Sequence, residues 1–294
     1  MDCNREVLGV LLVGGQGSRL WPSSISCSKQ LMPVFNKPLF YYPLSQLMLA
    51  GIRNLALICR PCDVERYRSY FGYGESLGVC LTYLAQDEPR GLAHALGLAE
   101  SLSKGRRVVM VLGDNIFYGD GLEKRMLALA NGKSEGSILG TWVSDPSPYG
   151  VLKMDKAGNV LGVVEKPQQF VSHYIVPGVY AYNDSVFDRI RRLKPSDRGE
   201  FEITDINNQL AHEGALDVEI MGRGMAWFDT GSAHDMLEAA EFIAAIENRQ
   251  GRLIGSPEEV ALRKGWISTE NVLSILDGRK SDYASRLRTV VDEF

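Results

Sequence analysis

Short apolar runs alternate with amphipathic stretches along the first part of the chain. Val7–Val13, Asn54–Ile58, Leu81–Leu84 and Arg107–Leu112 are nearly unbroken hydrophobic segments, the texture of strands covered on both faces. Between them, Pro43–Ala50 places Leu44, Leu47 and Met48 at helical spacing, and Leu92–Leu102 does the same with Leu92, Ala95, Leu96 and Ala99. Strand and helix in alternation predict a mostly parallel sheet with helices on both faces. Right-handed crossovers then gather the loops that follow successive strands along one edge, where open α/β sheets bind ligands.

The pattern changes after Gly140. Tyr149–Pro167 reads as two alternating strands about an Ala157-Gly158-Asn159 turn, a hairpin signal, and a further strand is expected over Ile175–Tyr182. Helical periodicity dominates from Asp235 onward. No low-complexity linker or internal repeat interrupts the chain. The expected fold is α/β: a Rossmann-like, mostly parallel central sheet flanked by helices, with a β-rich insert and a helical C-terminal part. One domain spanning 1–294 is expected, divided softly into 7–140, 141–234 and 235–294.

Bulk properties narrow the function. A length of 294 residues supports a sizeable core, and 45% hydrophobic with 23% charged residues is ordinary for a globular protein. A net charge of −4 argues against general nucleic-acid binding. Residues 1–6 are polar and only a short apolar run follows, so neither a signal peptide nor a membrane span is expected. Five cysteines, an odd number, suit reduced thiols and a cytoplasmic location. Cys59 and Cys62 have redox spacing but lie where a strand meets a loop, and are read as incidental.

Candidate chemistry begins where the first strand ends. Gly14, Gly15 and Gly17 follow the apolar run, and backbone N–H groups of such a turn approach a phosphate without a Cβ in the way. Ser18 and Arg19 come next, the latter a planar fork of donors, and Lys29 supplies a second cation ten residues on. The loop lacks the Gly-Lys-Ser/Thr of a Walker motif, and Leu20 stands where a dinucleotide fingerprint has its third glycine. Pro22, Ser23 and Ser24 predict an extended loop in place of a helix. Asp114 ends the Val108–Leu112 run and Asp229 ends Ala226–Phe228. Two carboxylates at strand ends suit Mg²⁺, which takes few protein ligands beside phosphates. In Glu165-Lys166-Pro167 the proline is expected to hold Lys166 extended, with its amine reaching outward.

Taken together, Gly14–Leu20, Ser28–Val34, Lys37–Ser45, Gln86–Ala93, Leu112–Gly119, Glu165–Pro167, Gly199–Asn207, Met221–Gly231 and Pro257–Ile267 resemble, in order, the bacterial glucose-1-phosphate thymidylyltransferases of the sugar nucleotidyltransferase superfamily. The resemblance implies a nucleotide-binding half, a sugar-binding and metal half, and transfer from dTTP to a sugar 1-phosphate in a cytoplasmic homotetramer. It implies that Arg19 and Lys29 grip the triphosphate, that Asp114 and Asp229 hold Mg²⁺, and that Gln86 and Gly91 read the base. Leu12, Gly14, Gly15, Gly17 and Ser18 would support the nucleotide. Lys166 would bind the sugar phosphate, with Leu92, Asn115, Gly150, Glu165, Val176, Tyr180, Thr204 and Trp227 around the sugar. Tyr118, Gly119, Gly222, Arg223, Gly224 and Arg263 fall in regions tied to regulation. The chain departs from the family at Trp21, Arg90, His94, Asp120 and Pro177. Transfer from UTP or GTP, another sugar phosphate, or a catalytically weak nucleotide-sugar sensor are the alternatives.

Overall fold

The computed structural model describes residues 7–15 and 17–294; the N-terminal hexapeptide, Cys3 and Gln16 lie outside that range. The chain runs through β1 (Val7–Leu12), a small hairpin of β2 (Pro33–Val34) and β3 (Lys37–Pro38), α1 (Tyr41–Leu49), β4 (Asn54–Cys59), α2 (Val64–Phe71) and β5 (Cys80–Ala85). It continues through α3 (Leu92–Gly97), α4 (Glu100–Ser103), β6 (Arg107–Leu112), β7 (Asn115–Tyr118) and α5 (Leu122–Ala130). Strands β5, β4, β1 and β6 lie side by side in that order, all parallel.

Alternation along these strands explains why both faces are covered. Leu11, Leu57, Val109 and Val111 pack with Leu44 and Leu47 of α1, Phe71 of α2 and Met126 of α5. Their neighbours Val10, Leu12, Ala56, Ile58, Val108 and Met110 enter a second core with Ala93 and Leu96 of α3. Successive side chains of a strand point to opposite faces, so an unbroken apolar run fills two cores at once.

The second half adds β8 (Gly136–Trp142), β9 (Gly150–Met154), β10 (Val160–Glu165), β11 (Tyr174–Ile175), β12 (Val179–Tyr182), α6 (Val186–Arg192), α7 (Ile203–His212), β13 (Leu216–Ile220) and β14 (Ala226–Asp229). β12 docks antiparallel on β6, β8 pairs with β12 and β13, and β11, β9 and β10 carry the sheet outward to ten strands. The β-rich insert therefore continues the central sheet, and the sheet is mixed: parallel in the first half, largely antiparallel in the added wing.

Three local expectations are corrected. The Ile175–Tyr182 strand divides around Pro177 and Gly178, because proline cannot donate to a ladder and Gly178 takes φ of 86°. The helix over Leu92–Leu102 breaks at Leu98–Ala99, where the backbone tightens to i→i−3 bonds onto Ala95 and Leu96 just after Gly97. Pro22 to Ser24 is not extended: Pro22 takes right-handed helical backbone and opens a 3₁₀ turn over Ser23–Ile25.

The C-terminal part is helical as expected, with α8 (Ala233–Gln250), α9 (Pro257–Arg263), α10 (Thr269–Ile275) and α11 (Asp282–Val291). Each starts on a serine: Ser232, Ser256, Ser268 and Ser281 all accept a backbone N–H from three residues on. Leu262, Val272 and Leu287 close a small core of their own. A buried ion pair ties α8 to the β2–β3 hairpin. Lys37 Nζ lies 2.8 Å from Glu247 Oε1 and 2.8 Å from Asn36 Oδ1, while Glu247 also accepts from the N–H of Ile254 and from Asn36 Nδ2. Among the described residues, no helix is long and apolar enough to cross a membrane.

Candidate active site

The loop after β1 delivers the first two cations to the carboxyl edge of the sheet. Gly17, at φ of 59°, opens the 3₁₀ turn that carries Arg19. Lys29 follows in a third 3₁₀ turn (Lys29–Leu31) and is buried, its Nζ 3.1 Å from Asp114 Oδ2. Asp114 stands between the end of β6 and the start of β7, so the sheet edge brings its carboxylate to this loop.

A ribbon of β7 and β14 supplies the partner acid. Asn115 is in register with Asp229, and the N–H and hydroxyl of Thr230 both donate to the Asp114 carbonyl, at 3.2 and 2.8 Å. Asn115 Nδ2 donates to Asp114 Oδ1 and Asn115 Oδ1 accepts from the Trp227 indole at 2.7 Å. Burial, and then the charge of Asp114, push the Asp229 carboxyl above its ordinary range, with Lys29 and Arg19 acting against them. The Arg19 guanidinium lies over Gly231, where a Cβ would come within 2.9–3.1 Å of it. A side chain at 231 would push the guanidinium aside, so the glycine leaves Arg19 free to lie where its charge acts on Asp229.

A cavity of about 250 Å³ opens beside these groups. Leu12, Gly14, Gly15, Gln86, Gly91, Leu92 and Asp114 line it, which brings together most of the sequence-predicted nucleotide residues. Gly91 is fixed by crowding: its φ is 96°, and a Cβ would stand 2.6 Å from the Phe201 carbonyl. Gln30 also lines the cavity and was missed by sequence reasoning. It is buried, and its Oε1 has no hydrogen-bond partner among the described residues. A ligand donor entering the cavity could satisfy this acceptor; adjacency to Lys29 was the only sequence signal.

A second cavity, about 420 Å³, holds Glu165, Lys166 and Thr204 together with Arg198. Glu165 Oε2 accepts from Thr204 Oγ1 at 2.9 Å, and its strand position faces Gly150. Lys166 is not extended. Its φ is 43°, in the left-handed region, so the turn into Pro167 is made by a strained backbone, a state that clusters at functional sites. Arg198 Nη2, 3.8 Å from Glu165 Oε1 and 2.9 Å from Glu202 Oε1, is a second cation that sequence reasoning missed.

The remaining sugar candidates are buried or half-buried. Val176 is buried and its N–H donates to the Gly150 carbonyl at 2.9 Å. Tyr180 is buried on β12; burial, then Glu165 and Asp114, push its phenol upward, so it stands within the field of both acids. Trp227 meets the Tyr149 ring edge-on at 5.2 Å, and burial followed by Asp229 pushes the Tyr149 phenol up to about 12.

The regulatory candidates are not gathered in one place. Tyr118 and Gly119 line a cavity of about 320 Å³ with Tyr42, Gln46 and Leu253. Gly224 backs onto Gly119, but Gly222 and Arg223 line a different cavity with Trp142 and Tyr174. Arg263 lines neither, and pairs with Glu259 and Glu293. Cys59 is a free buried thiol, pushed up to about 12 chiefly by burial, and Cys62 is free and exposed, in keeping with the incidental reading.

Residues 8–246 match the nucleotidyl transferase family. The chain belongs to that family. It is 44% identical over 285 residues to a glucose-1-phosphate thymidylyltransferase of Mycolicibacterium smegmatis, covering 97% of this chain and 99% of the relative. A Mycobacterium tuberculosis protein of the same name is 45% identical over 268 residues, or 90% and 92% of the two chains. Among solved structures, a candidate glucose-1-phosphate thymidylyltransferase from Bacillus anthracis, in complex with sucrose, aligns with a TM-score of 0.74 at 36% identity over 80% of this chain and 94% of its own. A UDP-glucose pyrophosphorylase bound to UDP-glucose aligns at 0.73 with 21% identity over 83% of this chain and all of its own, a likeness of fold.

Proposed function

We propose that this protein transfers the thymidylyl group of dTTP to glucose 1-phosphate, giving dTDP-glucose and pyrophosphate. The observation that carries the reading is the Lys29–Asp114 pair, within electrostatic reach of Asp229, whose Asp114 lines the same cavity as Gln86 and Gly91, in a chain so close to named thymidylyltransferases over nearly its full length.

An oxygen of the sugar phosphate attacks the α-phosphorus of dTTP. A new P–O bond forms as the bond to the β-phosphate breaks, and pyrophosphate carries away the electron pair. The attacking phosphate is already ionised near neutral pH, so no side chain has to remove a proton. Catalysis is positioning and charge neutralisation. Lys166, with Arg198 beside it, holds the acceptor phosphate, and Glu165 with Thr204 fixes sugar hydroxyls. Arg19 takes the β- and γ-phosphates, where it stabilises the departing pyrophosphate.

Asp114 and Asp229 form a hard-oxygen donor set; burial, and after it the charge of Asp114, raises the Asp229 carboxyl, and a divalent cation shared by the two would relieve both. Mg²⁺ bound there would screen the phosphate charge at the reacting phosphorus. In this reading the enzyme works in the cytoplasm as a homotetramer, to be checked by light scattering in solution. The test of function is pyrophosphate release across five nucleotides and several sugar 1-phosphates. The dTTP and glucose 1-phosphate pair should be fastest; a faster reaction with UTP or GTP would overturn the reading.

A further inference from the structure

His94, on the first turn of α3, touches the cavity only through another residue. Its Nδ1 lies 3.2 Å from Gln86 Nε2, and its ring stacks on Phe201 with centroids 6.2 Å apart and planes 26° apart. Phe201 is itself locked in place. Its N–H donates to the Arg90 carbonyl, its own carbonyl accepts from Ala93, and the Arg90 guanidinium covers its ring at 5.2 Å. Arg90 and His94 thus hold one ring between them. The Gln86 backbone is equally fixed, its N–H donating to the Cys59 carbonyl at 2.8 Å.

A side-chain amide can face a base with its oxygen or with its nitrogen, and the two choices read opposite partners. With Nε2 given to His94, Oε1 is left to accept an N–H. Thymine and uracil offer a donor at N3, whereas cytosine offers an acceptor there. We infer that His94 is a positioning residue for base choice: as a neutral ring accepting at Nδ1, it turns the Gln86 oxygen toward the base and so favours dTTP over dCTP. The inference rests on the proposed dTTP site, in which Gln86 meets the base.

The arrangement carries its own pH dependence. Protonated imidazole is a donor at both nitrogens, and would draw the amide oxygen to itself and turn Nε2 to the base. Burial and then Arg90 hold the His94 ring below its ordinary range, with Glu88 opposing, so the neutral acceptor form prevails at neutral pH. Glu200 lines the same cavity, and on α6, packed against α3, Arg189 and Arg191 are engaged with Glu135, Glu213, Glu100 and Asp188.

The experiment compares dTTP and dCTP as substrates for the natural enzyme, His94→Ala and His94→Gln, between pH 5.5 and 8. Alanine keeps the helix but frees the amide, so KM for dTTP should rise roughly 3- to 10-fold at pH 7.5 while kcat stays within about twofold, and the dTTP/dCTP ratio of kcat/KM should fall by a similar factor. Glutamine offers a non-titrating acceptor and should restore both. As pH falls, KM for dTTP should climb more steeply in the natural enzyme than in His94→Gln, a comparison that cancels protonation of the substrates themselves. Unchanged selectivity in His94→Ala, or parallel pH profiles for the natural enzyme and His94→Gln, would overturn the role of His94 while leaving the dTTP reading intact. A natural enzyme with no preference for dTTP over dCTP would overturn both.

Discussion

Two buried lysines eight residues apart in sequence, each paired with a carboxylate, do opposite jobs in this molecule. Lys37 and Glu247 are 2% and 0% exposed, and every oxygen of Glu247 has a donor: the lysine, Asn36 and the Ile254 N–H. Lys29 is just as buried, but its partner Asp114 is 32% exposed and borders a cavity. The first pair is closed, with no capacity left for a ligand. The second is open on the acid side, and a second acid of raised pKa stands across from it. Saturation of the acceptors separates a structural clasp from a reactive centre, although distance and burial of the lysines hardly differ.

The comparison breaks first at the open pair. Asp114→Asn should lower turnover by on the order of 10²–10⁴ while leaving the thermal transition near its natural value. Near-normal turnover at saturating Mg²⁺ would remove Asp114 from the metal site.

The closed pair should behave inversely. Lys37→Met removes the nearest cation from buried Glu247, leaving Arg286 4.0 Å away, and should cost up to about 3–5 kcal/mol in denaturant unfolding, with kcat little changed below the transition. The double variant Lys37→Met with Glu247→Leu should recover part of that loss; no recovery would mean that the loss comes from packing around Tyr42 and Tyr283 and not from a stranded charge.

A smaller contrast lies within the site. Arg19→Ala should depress kcat and weaken dTTP, whereas Lys166→Ala should mainly raise KM for glucose 1-phosphate. Steady-state kinetics with each substrate varied in turn decides it, and equal effects of both variants on both substrates would contradict the assignment.

The smallest expected effect is on stability. The Asp229 carboxyl titrates higher folded than unfolded, so the native state holds its proton longer and stability declines as pH rises from the unfolded value through the folded one. Asp229→Asn should therefore raise Tm at pH 8 more than at pH 4, even as it removes activity. A lower Tm at pH 8 would show that the carboxylate is net stabilising.

How much of this was legible depends on the range of the interaction. The parallel half was readable because each apolar run is long enough to fill two cores, and β6 falls where Arg107–Leu112 predicts. The split at Pro177 was hidden by continuous hydrophobicity on both sides. The left-handed Lys166 was misread because proline excludes the right-handed helical region for its predecessor without choosing between the alternatives. Among site residues, those at strand ends or in glycine turns carried a local signal. Gln30, Arg198 and Gly231 did not, since what places them at the site is the proximity of Gly15, Glu165 and Arg19, 15, 33 and 212 residues away in sequence. The role of Lys37 as a clasp was equally invisible, for its partner lies on α8.

The placement of β12 between β6 and β8 has a consequence during synthesis. Residues 7–112 emerge first and can assemble β5, β4, β1 and β6, but the free side of β6 finds its partner only when Val179–Tyr182 has been made. At the usual ribosomal pace of roughly 5–20 residues per second, that apolar edge waits on the order of 4–14 s for a neighbour. An unpaired hydrophobic strand is a template for pairing with other chains. The nascent protein is therefore most dependent on chaperones, and most sensitive to codon slowing, between Leu112 and Tyr182.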